Sequence, residues 1–320
     1  MILVLLRFLA TLLHAAAMFG LAPLLMGLAA KFRARLLGRR GPPVLQPYRE
    51  LRKLIRKVPL VPDTATELYR IWPFAAFAAM AACALLVPGF ALNLASARYG
   101  DFITLIGLFA LSRGTALLAG METGFGFGGA GAGREALFSV FAEAALLLVV
   151  LIFVLITGDP TVDGIAQYLG AAPFGISVSL GFALAAVLAV ALTETGRLPV
   201  DNPAGHLELG MVHEALTLEY SGRYLALFQY TACLRLIVWF SLIGSLFLPF
   251  GMAQAGAILS WPLGLAAWGA KLCGLAFALS LLEVSTAKMR VFRVPEFLGV
   301  ALLLGLLSAI FLFVAGRLSG

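Results

Sequence analysis

Long apolar runs, nearly free of charge, alternate along this chain with short polar stretches in which Lys and Arg collect. A helix crossing about 30 Å of hydrocarbon needs about 20 apolar residues. Eight runs have that length, at roughly 3–30, 72–92, 102–121, 136–157, 175–194, 229–250, 263–283 and 297–316. Open strands cannot satisfy their backbone groups in lipid. The pattern therefore predicts an all-α, polytopic integral membrane protein of about eight spans, forming a single membrane domain over 1–320. The first run continues to Ala30 before Lys31 stops it. A signal peptide has an apolar core of only about 7–15 residues, so this run reads as a retained span.

The basic residues assign sides. The first connection holds Lys31, Arg33, Arg35, Arg39, Arg40, Arg49, Arg52, Lys53, Arg56, Lys57 and Arg70; the third holds Arg134, the fifth Arg197 and Arg223, the seventh Lys288, Arg290 and Arg293. Against these 17, the even connections and the C-terminal end carry only Arg98 and Arg317. The positive-inside rule then places the odd connections in the cytoplasm and both termini on the outer, periplasmic side. It leaves extended cytoplasmic loops at 31–71 and 195–228. In the first loop Leu45, Tyr48, Leu51, Leu54, Ile55 and Val58 recur at helical spacing among basic residues. That predicts a short amphipathic helix on the membrane surface or against a partner.

Composition agrees: 62% of residues are hydrophobic and 12% charged, about half the charge of a soluble domain. The net charge of +7 lies beside spans, so side selection accounts for it and no nucleic-acid partner is implied. Cys83, Cys233 and Cys273 each sit in an apolar run without CxxC spacing, which supports no disulfide framework, iron–sulfur site or zinc site. His206-x-Glu208 lacks the P-C-x-x-C pair of a zinc deaminase, and His213-Glu214 lacks the second histidine of H-E-x-x-H. No metal is therefore expected on this chain. Gly126-Phe127-Gly128-Gly129-Ala130-Gly131 has dinucleotide-motif spacing but no preceding strand; its glycines point to a tight re-entrant or loop path close to a neighbour.

Several charges fall within or at the ends of spans, among them Arg113, Glu122, Glu143, Glu194, Arg235, Lys271 and Glu283. A charge at the bilayer centre costs at least about 2.5–3.5 kcal/mol, so such residues pair, line hydrated cavities or carry protons. The functional reading is a polar route through Glu143 and Glu194, with Glu122, Glu208 and Glu283, from the cytoplasmic loops to a lateral partner. Burial and neighbouring cations would tune such carboxylates in opposite directions. The static reading pairs Glu143 with Arg113 or Arg235.

The fifth connection carries the most information. It reads Glu194-Thr195-Gly196-Arg197-Leu198-Pro199-Val200-Asp201-Asn202-Pro203, then Glu208, His213, Glu214 and Glu219-Tyr220-Ser221-Gly222. Together with Arg39-Arg40-Gly41-Pro42, Leu45-Gln46-Pro47-Tyr48-Arg49, Glu122-Thr123-Gly124, Arg134-Glu135 and Ala287-Lys288-Met289-Arg290 before Val294-Pro295-Glu296, it resembles the membrane subunit shared by respiratory complex I (its subunit 1) and energy-converting hydrogenases. The likeness is closer to the hydrogenase-4 component C and formate hydrogenlyase subunit 4 branch. Val200 stands where quinone reductases usually carry Phe, and about three extra residues lie between Asp201 and Glu219.

The resemblance implies a non-catalytic anchor and coupling subunit of a group 4-type [NiFe] hydrogenase or formate hydrogenlyase-like complex in a bacterial or archaeal inner membrane. Its cofactors, iron–sulfur clusters and a nickel–iron site, would sit in partners. Those partners are hydrogenase-like large and small subunits and a ferredoxin-like iron–sulfur subunit on the cytoplasmic side, with antiporter-like subunits laterally. Docking would fall to Arg39, Arg40, Gln46, Arg49, Arg134, Glu135, Arg197, Asp201, His213, Glu214, Glu219, Tyr220, Lys288 and Arg290. Glu122, Glu143, Glu194, Glu208, Glu283, Lys271, Arg235 and Arg113 would carry proton or sodium coupling. The alternative is the quinone-binding subunit of an NADH:quinone oxidoreductase; a stand-alone transporter fits less well, since neither inverted repeats nor broken midplane helices stand out.

Overall fold

The computed structural model describes residues 1–171, 178–197, 200, 212–287 and 289–318, with side chains to residue 314. Among them are ten α-helices: α1 (Ile2–Leu36), α2 (Gln46–Ile55), α3 (Leu68–Leu86), α4 (Phe102–Met121), α5 (Gly126–Thr157), α6 (Val162–Ala171), α7 (Val178–Glu194), α8 (Gly222–Leu246), α9 (Trp261–Ser285) and α10 (Val294–Leu318). Seven, namely α1, α3, α4, α5, α8, α9 and α10, are long and apolar enough to cross a membrane. The apolar α7 covers the described part of the expected 175–194 span; residues 172–177 lie outside the described residues.

The bundle centres on α8, which packs against α1, α3 and α9. Of its most apolar window 78% is buried, against 17% for α1 and 22% for α10, which lie at the periphery. Phe109 of α4 stacks on Trp239 of α8 with ring centroids 4.9 Å apart, and α10 seals the far side against α5 and α7.

The described connections gather at two ends of the bundle. At one end a short parallel strand pair joins β1 (Ala91–Leu92) to β2 (Ala253–Gln254). There the Ala95 amide also donates to Thr11 Oγ1 of α1 at 2.9 Å, and the Phe102 amide to the Pro160 carbonyl at 2.9 Å. At the other end the first and fifth connections touch: the Leu60 amide donates to Ser221 Oγ at 2.8 Å, and Tyr69 Oη to the Glu219 carbonyl at 2.8 Å.

The amphipathic helix expected near 45–58 is α2, started by Pro47 in its first turn, a position where proline's missing N–H costs nothing. Tyr48 donates its hydroxyl to the Gly20 carbonyl and holds α2 against α1. The glycine-rich segment differs from expectation. Residues 126–133 are not a loop but the first two turns of α5. A Cβ on Gly128 would lie 2.0 Å from the Gly120 carbonyl oxygen, so the glycines serve a close helix approach while staying helical. Neither α6 nor the strand pair is foreseen by hydropathy, which has no signal for elements this short.

Candidate functional site

Four elements bring a buried ionic cluster together at the end where the first and fifth connections meet. Glu135 and Glu143 stand eight residues apart on α5, hence on one helix face. Arg113 comes from α4, Arg235 from α8, and Glu194 is the last residue of α7. Arg113 is 3% exposed and faces all three carboxylates. Its Nη2 pairs directly with Glu194, Nη1 lies 3.6 Å from Glu143 Oε1, and Nε lies 3.8 Å from Glu135 Oε1. Arg235 Nη1 donates to the Glu194 carbonyl at 3.2 Å, and Nη2 reaches Ser112 Oγ at 3.5 Å. His213 Nε2 stands 3.6 Å from Glu135 Oε2.

Two guanidiniums against three carboxylates leave one negative charge in excess unless a proton is held, on His213 or on a carboxylate. A buried uncompensated charge is costly, so the cluster has a reason to take up a proton. Glu143, with 37% of its side chain exposed, is its most open member.

A second cluster adjoins it. Glu283 of α9 lies between Arg33 Nη1 at 3.5 Å and Arg197 Nη1 at 3.4 Å, and Arg197 also contacts Met26 Sδ. A cavity of about 290 Å³ lined by Arg33, Glu194, Arg197, His213, Arg235 and Glu283 connects the two. A second cavity, of about 460 Å³, opens on the other side and is lined by Arg113, Glu135, His213, Glu214, Tyr220 and Arg235. Glu194, His213 and Arg235 thus stand beside space wide enough for ordered water.

The expected proton route is only partly assembled here. Glu143, Glu194, Arg113 and Arg235 come together. Glu122 does not join them: it caps the end of α4 and accepts from the Thr66 amide at 3.1 Å, the Thr66 hydroxyl, and Trp72 Nε1 at 3.1 Å. The Thr66 hydroxyl bond, outweighing partial burial and joined by the other two, holds the Glu122 carboxyl below its usual range. Glu283 belongs to the second cluster. Lys271 lies elsewhere, its Nζ 4.9 Å from the Phe250 ring centroid in the connection between α8 and α9.

Of the docking residues, Arg39, Arg40, Arg49, Glu214 and Arg290 are exposed, and Gln46 Nε2 donates to Glu50 Oε1 at 3.0 Å. Arg134 and Glu219 are half-buried. Two placements differ from expectation. Glu135 is 3% exposed inside the cluster, and Tyr220 is 3% exposed, stacked on Tyr69 with centroids 4.2 Å apart. Burial pushes the Tyr220 hydroxyl up. Asp201, Glu208 and Lys288 lie outside the described residues, as does most of the 198–211 segment. Glu135 and Ser112 are the members that charge reading missed; a helix begun at Gly126 would have shown Glu135 and Glu143 on one face. Among the described residues no group of three or more His, Cys, Asp or Glu has metal-binding geometry.

Comparison with known proteins agrees with this architecture. Residues 8–315 match the family model described as NADH dehydrogenase. The chain is 36% identical over 234 residues to hydrogenase-4 component C of Escherichia coli (strain K12), covering 73% of each chain. It is 32% identical over 288 residues to formate hydrogenlyase subunit 4 of the same organism, covering 89% of this chain and 92% of that one. A chain in the structure of the membrane-bound sulfane sulfur reductase, an archaeal respiratory membrane complex, superposes with a TM-score of 0.82 at 20% identity, covering 95% of this chain and 98% of that one. A family model spanning nearly the whole length, with two relatives above 30% identity, leaves one assignment: this chain is a multi-pass membrane protein of the NADH dehydrogenase family, of the type that includes subunit 1 of complex I.

Proposed function

We propose that this chain is the membrane anchor and coupling subunit of an energy-converting, group 4-type hydrogenase or formate hydrogenlyase-like complex in a bacterial or archaeal inner membrane. The names of its two relatives support the complex, and its charge distribution supports an orientation with the ionic clusters towards the cytoplasm. Electrons would pass through iron–sulfur and nickel–iron subunits docked on that side, and antiporter-like subunits would flank the bundle. The chain's own contribution is ionic. The observation that carries the reading is Arg113 shared among Glu135, Glu143 and Glu194. Movement of Arg197 and His213, both carried by the fifth connection, would redistribute the two guanidiniums among three carboxylates. A proton would then enter or leave the carboxylate abandoned by its cation, through the adjoining cavities.

Glu143→Gln tests this directly. The variant balances two guanidiniums against two carboxylates, so the complex should assemble and melt at or above the parent temperature. Hydrogen evolution in inverted vesicles should continue while ion movement per hydrogen falls at least tenfold. Unchanged coupling at normal assembly would make the cluster a structural element.

A further inference from the structure

At the end of the bundle opposite the ionic clusters, a cavity of about 580 Å³ opens between the first turns of α1, the 93–98 connection and the start of α6. Both signs of charge line it. Arg7 of α1 and Arg98 of the connection supply two guanidiniums; Asp159 and Asp163 supply two carboxylates. Each carboxylate is already anchored by the fold. Asp163, 6% exposed, accepts from the Asn93 amide at 2.9 and 3.2 Å and from Gln167 Nε2 at 2.7 Å. Asp159 Oδ1 accepts from the Thr161 amide and hydroxyl, both at 2.8 Å. Its second oxygen turns towards Gly164, where a Cβ would lie 2.0 Å away. Glycine at that position is what lets the carboxylate lean into the cavity.

The arginines are not consumed in the same way. Neither guanidinium has a carboxylate within ion-pair distance among the described residues. Arg98 lies 4.7 Å from the ring centroid of Tyr99, which is 59% exposed and suited to the membrane interface. The rest of the wall is mixed, with Asn93, Thr161 and Gln167 on the side of the carboxylates and Val4 and Phe8 supplying an apolar side. Val4 and Phe8 line the cavity, are exposed, and continue along α1 into exposed Leu5 and Leu12. An open phosphate-binding fork, an acidic group beside it and an apolar track leading from both into the bilayer define one chemistry.

We propose that this cavity binds a zwitterionic aminophospholipid. Its phosphodiester sits between Arg7 and Arg98, its primary ammonium donates to Asp159, and one acyl chain lies along Val4 and Phe8. Guanidinium suits a phosphodiester because its planar N–H fork matches paired oxygens. The two carboxylates disfavour a purely anionic headgroup, and a quaternary ammonium lacks the N–H that Asp159 would accept.

The test is native mass spectrometry of the intact complex, delipidated in detergent and then exposed to vesicles of phosphatidylethanolamine, phosphatidylglycerol or phosphatidylcholine. Phosphatidylethanolamine should be retained at least tenfold over the other two, and millimolar inorganic phosphate should not displace it. The double variant Arg7→Gln, Arg98→Gln should lose that retention. Asp159→Asn keeps an oxygen for Thr161, so it should fold normally and abolish the preference for the primary amine. Equal or stronger binding of phosphatidylglycerol overturns the zwitterionic assignment, and displacement by phosphate overturns the lipid. Retention in the double variant overturns the site.

Discussion

The cluster around Arg113 and the cluster around Glu283 are neighbours with opposite imbalances. Arg113 and Arg235 face three carboxylates; Glu283 alone faces Arg33 and Arg197. Their wetness differs too. The difference lies in the cations: Arg113 and Arg235 are 3% and 9% exposed, whereas 42% of the Arg33 side chain and 15% of the Arg197 side chain are exposed, and Glu143 is the one open carboxylate of the first cluster. A dry cluster with surplus negative charge can change its proton content to regain neutrality. A clamp of two cations on one carboxylate has no such surplus, and its partly wetted arginines can move. The first resembles a switch and the second the latch that holds the fifth connection in place, with the cavity shared by Glu194 and Glu283 between them.

Removing the centre of the dry cluster should break this contrast most severely. Arg113→Met leaves the buried Glu135 and Glu194, and the partly exposed Glu143, facing Arg235 alone. Deleting one partner of a buried pair costs about 3–5 kcal/mol, so the variant should fail to accumulate in the complex, read as loss of co-purifying partner subunits. Arg113→Lys sharpens the result. A lysine restores the charge but cannot reach three carboxylates with a planar fork, so assembly should return only in part. Full recovery would mean that net charge, not geometry, organises the cluster.

Glu283→Gln should cost less than Arg113→Met, because Arg33, one of the two arginines it releases, has 42% of its side chain exposed and can turn to water. The informative readout is local. Hydrogen exchange in residues 195–197 and 212–221 should rise several-fold while the rest of the bundle is unchanged. Unaltered exchange there would separate Glu283 from any hold on the connection.

Hydropathy and charge make most of the scaffold legible. The ranges of α1, α4 and α9 lie close to the apolar runs, because lipid imposes one rule over about 20 residues. The amphipathic α2 follows from spacing alone. What stays hidden depends on tertiary proximity. The start of α5 is hidden because glycine scores as a breaker, yet the segment from Gly126 is helical and approaches Gly120 closely. That error places Glu135 in a loop and so on the docking surface, when it is buried beside Arg113. Glu122, Glu143 and Glu283 look equivalent as membrane carboxylates. Their partners divide them: Thr66 and Trp72 for the first, Arg113 for the second, Arg33 and Arg197 for the third.

Glu122 supplies the mildest probe of that division, because its partners are neutral hydrogen-bond donors and not arginines. Its folded carboxyl titrates below the usual glutamate range, first through the Thr66 hydroxyl and then through Trp72 and the Thr66 amide. A depressed folded value means the contribution is present above the unfolded glutamate value of about 4.3 and is lost as pH falls through the folded one. The parent should therefore lose melting temperature as pH falls below about 4.3 more steeply than Glu122→Gln, whose amide oxygen still accepts from the Thr66 amide and hydroxyl, which offers Trp72 no acceptor, and which does not titrate. Both proteins should couple ion movement equally well at pH 7. If Glu122→Gln instead uncouples as Glu143→Gln is expected to, the tie between α3 and α4 joins the proton route, and the separation of switch from scaffold drawn from Arg113 fails at its near edge.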